Sequence, residues 1–298
     1  MAILKETVSQ QKVTYNYKPS SPWQMMIKRF KKNKRALIGL YITALFVLLA
    51  IFSPWICPYD PFEYNMEALL QAPSLSHPFG TDQFGRDVLS RIIEGSRISL
   101  MMGIVGVGIS IIIGVSLGTI AGYFGGLADT LIMRIMDILM AFPGFLLALA
   151  IISILGPSMV NVMIAIGIFS IPVFARIMRS SVIAIKHKEF IEATKSLGGS
   201  NFLIIIKHVI PNCIAPIIVL SSMRIATAIL SAAGLSFLGL GAQPPSPEWG
   251  AMLSEGREYM RSAPHLSTVP GLIIMLVVLG FNMLGDGLRD ALDPQMKV

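Results

Sequence analysis

The chain has 298 residues, 54% of them hydrophobic and only 14% charged, with a mean hydropathy of +0.69, whereas in soluble globular domains about a quarter of residues carry charge; this is an all-α integral membrane protein. The net charge of +7 does not point to nucleic acid, because the basic residues gather beside apolar runs with no aromatic platform between them, as topology signals do. Two cysteines, four scattered histidines and the lack of a GxxxxGK(S/T) stretch exclude a disulfide framework, a structural metal and a P-loop nucleotide site in this chain.

Residues 1–21 are polar, without an apolar stripe, and are expected to trail in the cytoplasm as a poorly ordered tail. In residues 22–35, Trp23, Met26, Ile27 and Phe30 recur at helical spacing among lysines and arginines. That pattern describes an amphipathic helix on an anionic membrane face, or a plain positive-inside flank. Either reading places this end in the cytoplasm. Ala36 to Ile56 supplies the roughly twenty apolar residues a bilayer requires. No small-residue cleavage site follows it, so it is expected to stay as an anchor.

Residues 57–97 form an extracytoplasmic loop in which carboxylates from Asp60 to Glu94 outnumber Arg86 and Arg91. Gly80 and Gly85 permit turns. Val88, Leu89, Ile92 and Ile93 then make the apolar face of a helix expected to lie on the outer membrane surface. Ile98 to Tyr123 is the second span. Gly106, Ser110, Gly114, Gly118 and Gly122 fall four apart on it and cut a groove for close helix packing, a seam within the chain or with a partner.

Leu127 to Leu155 is the third span, with Asp129, Arg134 and Asp137 toward its cytoplasmic end. Ionised groups at membrane depth are costly, so Arg134 and Asp137, three apart on one face, are expected to pair or to face the bundle interior. Pro143 loosens this helix, and Gly156-Pro157 makes the external turn. Met159 to Val182 is the fourth span, broken by Pro172, and Lys186, His187 and Lys188 beyond it mark the cytoplasmic side.

The passage 189–212 is charged and broken by glycine between two apolar runs. Glu189 and Glu192 early and Lys195 late suit the dipole of a short helix, which Gly198 and Gly199 end. Ser200 or Asn201 can cap a second short helix over Phe202 to His208, with Pro211 at the start of the next run. Pro211 to Leu235 is the fifth span, loosened by Pro211 and Pro216. Arg224 lies well inside it and is a functional candidate, with a buried pair to Asp137 or snorkelling as its alternatives. Residues 236–268 return outside, where Ser246 before Pro247 and Glu248 starts a helix whose Trp249, Met252, Leu253, Tyr259 and Met260 form an interfacial stripe. Val269 to Leu288 is the last span. Asp286, Arg289, Asp290 and Asp293 read as a solvated cap, with residues 293–298 a cytoplasmic tail.

At several of these places the chain resembles a known family. Glu192-Ala193-Thr194, Gly198 and Ile210-Pro211 resemble the "EAA" loop of ATP-binding-cassette (ABC) importer permeases, with Thr194 in place of the second alanine and His208 where isoleucine is preferred. The stretches GTDQFGRDVLSRIIEGSRISL, GLSFLGLGAQPPSPEWGAML and FNMLGDGLRDALDPQMKV resemble the dipeptide and oligopeptide branch, in its second, shorter permease. The resemblance spans Arg35 to Lys297. It implies a type I ABC importer (MetI-like) permease fold of about six transmembrane helices, with a core permease domain over residues 98–292 and both termini in the cytoplasm of a bacterial or archaeal cell. It implies a coupling helix over residues 189–199, with Glu189, Glu192, Ala193, Thr194, Leu197, Gly198 and Pro211 engaging an ATPase. It further implies a second homologous permease, two ATP-binding subunits that hold the ATP and magnesium, and an extracytoplasmic peptide-binding protein. This chain is expected to hold no cofactor and to be no enzyme itself. Arg224, Arg134 and Asp137 are the path candidates, Arg224 for a peptide carboxylate or for gating. The rivals are an ion-coupled transporter with those three residues as its relay, a membrane scaffold, and an ABC permease for a nickel chelate, glutathione or haem.

Overall fold

The computed structural model describes residues 22–292. The tails expected over residues 1–21 and 293–298, and Asp293 with them, lie outside the described residues, as does the side chain of Trp23. Helix α1 (Pro22–Lys32) is short and basic. Asn33 separates it from α2 (Lys34–Ile56), its side-chain oxygen accepting the backbone N–H groups of Arg35 and Ala36 at 3.1 and 3.2 Å. This cap lets the charged segment stop and the apolar span begin within one residue.

Helix α3 (Val88–Phe124) is one rod of 37 residues, about 55 Å at 1.5 Å per residue. Asp87 caps it by accepting from the Ser90 N–H at 2.7 Å. A separate helix on the outer membrane surface does not form. Val88, Ile92 and Ile93 instead belong to the first turns of α3, where all three are buried, and Val88 and Ile92 pack with Phe46, Trp249 and Leu266 in an apolar cluster. An amphipathic face has the same periodicity whether it meets lipid or protein, and here Trp249 and Leu266 from the later part of the chain cover it.

The third span is also not straight. Helix α4 (Gly126–Met140) and α5 (Gly144–Leu155) meet at 88° across residues 141–143. Pro143 lacks an N–H to continue the ladder, and the break is complete where a loosening was expected. By contrast α6 (Met159–Ile185) runs unbroken through Pro172. The turn around that proline seats against α3, where a Cβ on Gly114 would fall 2.7 Å from the Phe174 Cβ and 2.8 Å from the Ile171 carbonyl.

That contact is part of the small-residue groove, which is a seam within the chain. Added Cβ atoms at Gly106, Gly118 and Gly122 would meet Ile166, Ala175 and Arg179 of α6 within 3 Å, and the Ser110 hydroxyl donates to the Gly167 carbonyl at 3.0 Å. A second seam, unforeseen in the sequence, joins α2 to the last helix, α11 (His265–Leu292). There Gly39 abuts the backbone of Gly280 and Leu284, and Gly280 in turn abuts Ile42.

After α6 come α7 (Glu189–Ser196) and α8 (Asn201–Ile204), then a π-helical turn over Ile205–Val209 that leads without a break into α9 (Ile210–Phe237). The expected second short helix over Phe202 to His208 is therefore the opening of the fifth span. On the far side, α10 (Trp249–Gly256) begins at Glu248, whose carboxylate accepts the Ala251 N–H at 2.9 Å. Glu248 takes the capping place expected of Ser246. The stripe on α10 also faces inward in part: Trp249 is fully buried, donates from Nε1 to the Ile92 carbonyl at 3.1 Å and packs edge-on to Phe46. Among the described residues, five helices are long and apolar enough to cross a membrane, six with the bent α4–α5 pair taken as one span.

Candidate functional sites

Helix α7 is short because its end is chemically fixed. Gly198 adopts φ +84°, and the Gly198 and Gly199 N–H groups donate to the carbonyls of Lys195 and Thr194 at 3.0 Å each. That pair of bonds satisfies the last carbonyls in a Schellman turn, which needs the left-handed residue glycine supplies. Ser200 then caps α8, accepting the Leu203 N–H at 3.3 Å. Ile191 and Ile204 are buried in one cluster with Met178, Val182 and Val209, so α7 and α8 are bolted to both α6 and α9. Glu189, Glu192, Ala193 and Gly198 are exposed, and Thr194 is half-buried with its hydroxyl on the Phe190 carbonyl at 2.8 Å. Leu197 is 89% exposed and Phe202 76% exposed, the most exposed large apolar side chains of the α7–α8 segment. Pro211 lies in the first turn of α9. Behind α7, Tyr123, Lys186, Glu192, Lys195 and Asn201 line a polar pocket of about 310 Å³. Tyr123 donates to the Asn201 side chain there at 3.0 Å.

The three path candidates do not converge. Asp137 pairs with Arg176 of α6 at 2.6 Å, and Asp129 holds Arg179 through two contacts of 2.5 Å. Both acids lie on α4 and face α6. Arg134 is exposed and forms no ion pair with Asp137. Arg224 is half-buried on α9 and has no hydrogen-bonding or ionic partner among the described residues. A relay through Arg134, Asp137 and Arg224 therefore has no connected geometry. The true partners, Arg176 and Arg179, were visible in the sequence only as basic residues at a span end.

The end of the bundle opposite α7 carries a buried ionic clasp. Arg86 meets Asp82 at 2.6 Å and Glu255 at 3.2 Å, while Arg91 meets the same two carboxylates at 3.4 and 3.6 Å. Arg91 also donates to the Pro61 and Pro245 carbonyls at 3.3 Å each, and the Arg86 guanidinium lies 4.7 Å over the Phe84 ring. Two cations against two anions leave the group neutral, as burial requires. Close by, the Glu248 carboxylate accepts from the Ser99 hydroxyl at 3.1 Å, and burial pushes its carboxyl above the ordinary range. The clasp pins the loop after α2 to the segment around α10. Acids and arginines in a loop gave no sign of this, since exposed loops carry the same residues.

Residues 114–298 match the family described as the binding-protein-dependent transport system inner membrane component. The chain belongs to that family. Residues 21–73 of the permease match the N-terminal TM domain of oligopeptide transport permease C. The permease is 53% identical over 281 residues to the dipeptide transport system permease protein DppC of Alkalihalophilus pseudofirmus, covering 94% of this chain and 92% of that one. It is 50% identical over 278 residues to the glutathione transport system permease protein GsiD of Escherichia coli O6:K15:H31, covering 93% and 92%. Its fold is shared with an inward-facing structure of the MetNI methionine ABC transporter, with a TM-score of 0.53 at 18% identity over 67% of this chain and 96% of that one. The chain is a multi-pass permease subunit of an ABC importer with the MetI-like fold. Importers of this family work with ATPase and binding-protein partners.

Proposed function

We propose that this permease carries dipeptides or other short peptides across the cytoplasmic membrane of a bacterium or archaeon, and that α7 is the surface on which an ATPase subunit pushes. The observation that carries the reading is the exposed pair Leu197 and Phe202 on the α7–α8 segment, which is fixed to α6 and α9 through Ile191 and Ile204. A rigid docking helix transmits displacement, whereas a flexible loop absorbs it. Glu189, Glu192, Ala193, Thr194, Leu197, Gly198 and Pro211 form or anchor that surface, and the basic flank of Lys186 to Lys188 supports its cytoplasmic side. The partners are a second related permease, two ATP-binding subunits that hold ATP and magnesium, and an extracytoplasmic peptide-binding protein. The permease itself is no enzyme and holds no cofactor. A partner shifts the equilibrium between inward and outward states only by binding them unequally, and the substrate class rests on the kinship to dipeptide and glutathione permeases.

The test is uptake by the complete importer in vesicles. Peptide accumulation should require ATP and the binding protein, stop with vanadate and ignore a protonophore. Uptake that survives vanadate and collapses with the protonophore overturns the reading. Labelling of a Leu197→Cys variant only from the external face of intact cells does so as well.

A further inference from the structure

Between the loop-side halves of α2 and α3 lies an open groove of about 500 Å³. Its walls are apolar, from Pro54 and Trp55 at the loop end to Val47 and Val105 deeper in, and its lining holds a single charged side chain, Arg97. The Ser53 hydroxyl meets Glu94 at 2.5 Å and sets the register of the two helices. Arg97 therefore sits about one turn deeper than Ser53. Arg86 and Arg91, earlier on the same segment, are neutralised by the clasp. Arg97 is exposed and makes no hydrogen bond or ion pair among the described residues.

We propose that this groove binds an anionic phospholipid, with one acyl chain against α2 and α3 and the phosphate on Arg97. A guanidinium inside a span is costly unless it meets an anion or reaches the headgroup level, and Arg97 is placed to do both. The groove follows α2 from Val47 to Trp55, about 12 Å at 1.5 Å per residue, against the roughly 15 Å depth of one leaflet. Trp55 is 76% exposed at its mouth, where an indole favours the headgroup region. Among the described residues no carboxylate lines the groove to receive a choline or ethanolamine cation, which selects a headgroup of net negative charge. A free phosphate has no use for the apolar walls. The site requires only that the chain spans a bilayer, so it stands apart from the proposed cargo and from the coupling role of α7.

Native mass spectrometry of the whole importer, taken from vesicles of equal parts phosphatidylcholine and phosphatidylglycerol, reads the site directly. The wild type should retain phosphatidylglycerol over phosphatidylcholine. Arg97→Gln should lower that retention about fivefold, the factor for one cation at a lipid surface, with complex recovery unchanged. Ala50→Phe, which fills the groove and alters no charge, should lower it as well. Equal retention of the two lipids, or no change in Arg97→Gln, overturns the proposal. Displacement of the lipid by inorganic phosphate at low concentration marks a plain anion site and also overturns it. A photo-reactive Met101→benzoylphenylalanine variant should cross-link to lipid, and cross-linking to another subunit of the importer would show that protein covers the groove.

Discussion

Arg86 and Glu255, 169 residues apart in the chain, meet at 3.2 Å in the buried clasp. Removing the Arg86 cation leaves buried Asp82 and partly exposed Glu255 to share Arg91 alone, and breaking a buried ionic group in this way costs about 3–5 kcal/mol. Arg86→Met is therefore expected to lower the melting temperature of the importer and to open the 57–87 loop to protease. Glu255→Gln should be milder, because Glu255 remains partly exposed. Equal protease resistance in Arg86→Met and wild type would contradict the clasp.

The α3–α6 seam makes a prediction about size alone. An added Cβ at Gly118 would fall 2.3 Å from the Ala175 carbonyl, while one at Gly108 meets nothing within 4 Å. Gly118→Leu should separate the helices and cost about 1–3 kcal/mol or more through overpacking. Gly108→Ala, on the open face of the same helix, should be neutral or gain up to about 1 kcal/mol. Thermal stability in detergent ranks the two variants, and the reverse order would place the seam elsewhere.

Glu248 links stability to pH. Burial holds its carboxyl above the ordinary value of 4.5, so the folded state binds the proton more tightly than the unfolded chain. Stability from this group is then present below pH 4.5 and is lost as pH rises through the raised value. Glu248→Gln keeps an acceptor for the Ala251 N–H and removes the charge. It should match the wild type in acid and exceed it at neutral and alkaline pH, as melting curves across that range will report.

At Gly198 the space is open but the backbone is demanding. A Cβ would touch nothing, yet φ is +84°, a conformation that costs an ordinary side chain about 1–2 kcal/mol. Gly198→Asp and Glu192→Lys are expected to uncouple peptide-stimulated ATP hydrolysis from uptake while leaving membrane insertion intact. Gly198→Asn, which tolerates this conformation, should retain more transport than Gly198→Ala. Normal coupling in Gly198→Asp and Glu192→Lys would remove α7 from the mechanism.

Hydropathy located the spans, because twenty apolar residues in a row have one use in a bilayer, but not where two of the helices begin: α3 starts at Val88 rather than Ile98, and the fifth span opens at Asn201 rather than Pro211. The end of α7 was equally plain, since paired glycines after a charged turn have few other readings. Direction was not legible. The run from Leu127 to Leu155 is equally apolar whether straight or folded by 88°, so the partners of Asp129 and Asp137 were out of reach. Nor could periodicity tell that Val88 and Ile92 face protein, because their cover, Trp249, arrives late in the chain. Ser246 and Glu248 both qualify as caps, and the choice fell to the one that Ser99 could also reach.

An unbroken α3 also means that its two ends cannot keep separate time. Val88 sits by the clasp and Tyr123 beside the pocket behind α7. Its seam with α6 runs from Gly106 to Gly122, so the two helices brace each other as one stiff strut. Strain applied at one end is felt at the other, because α3 has no hinge along its length in which to dissipate it.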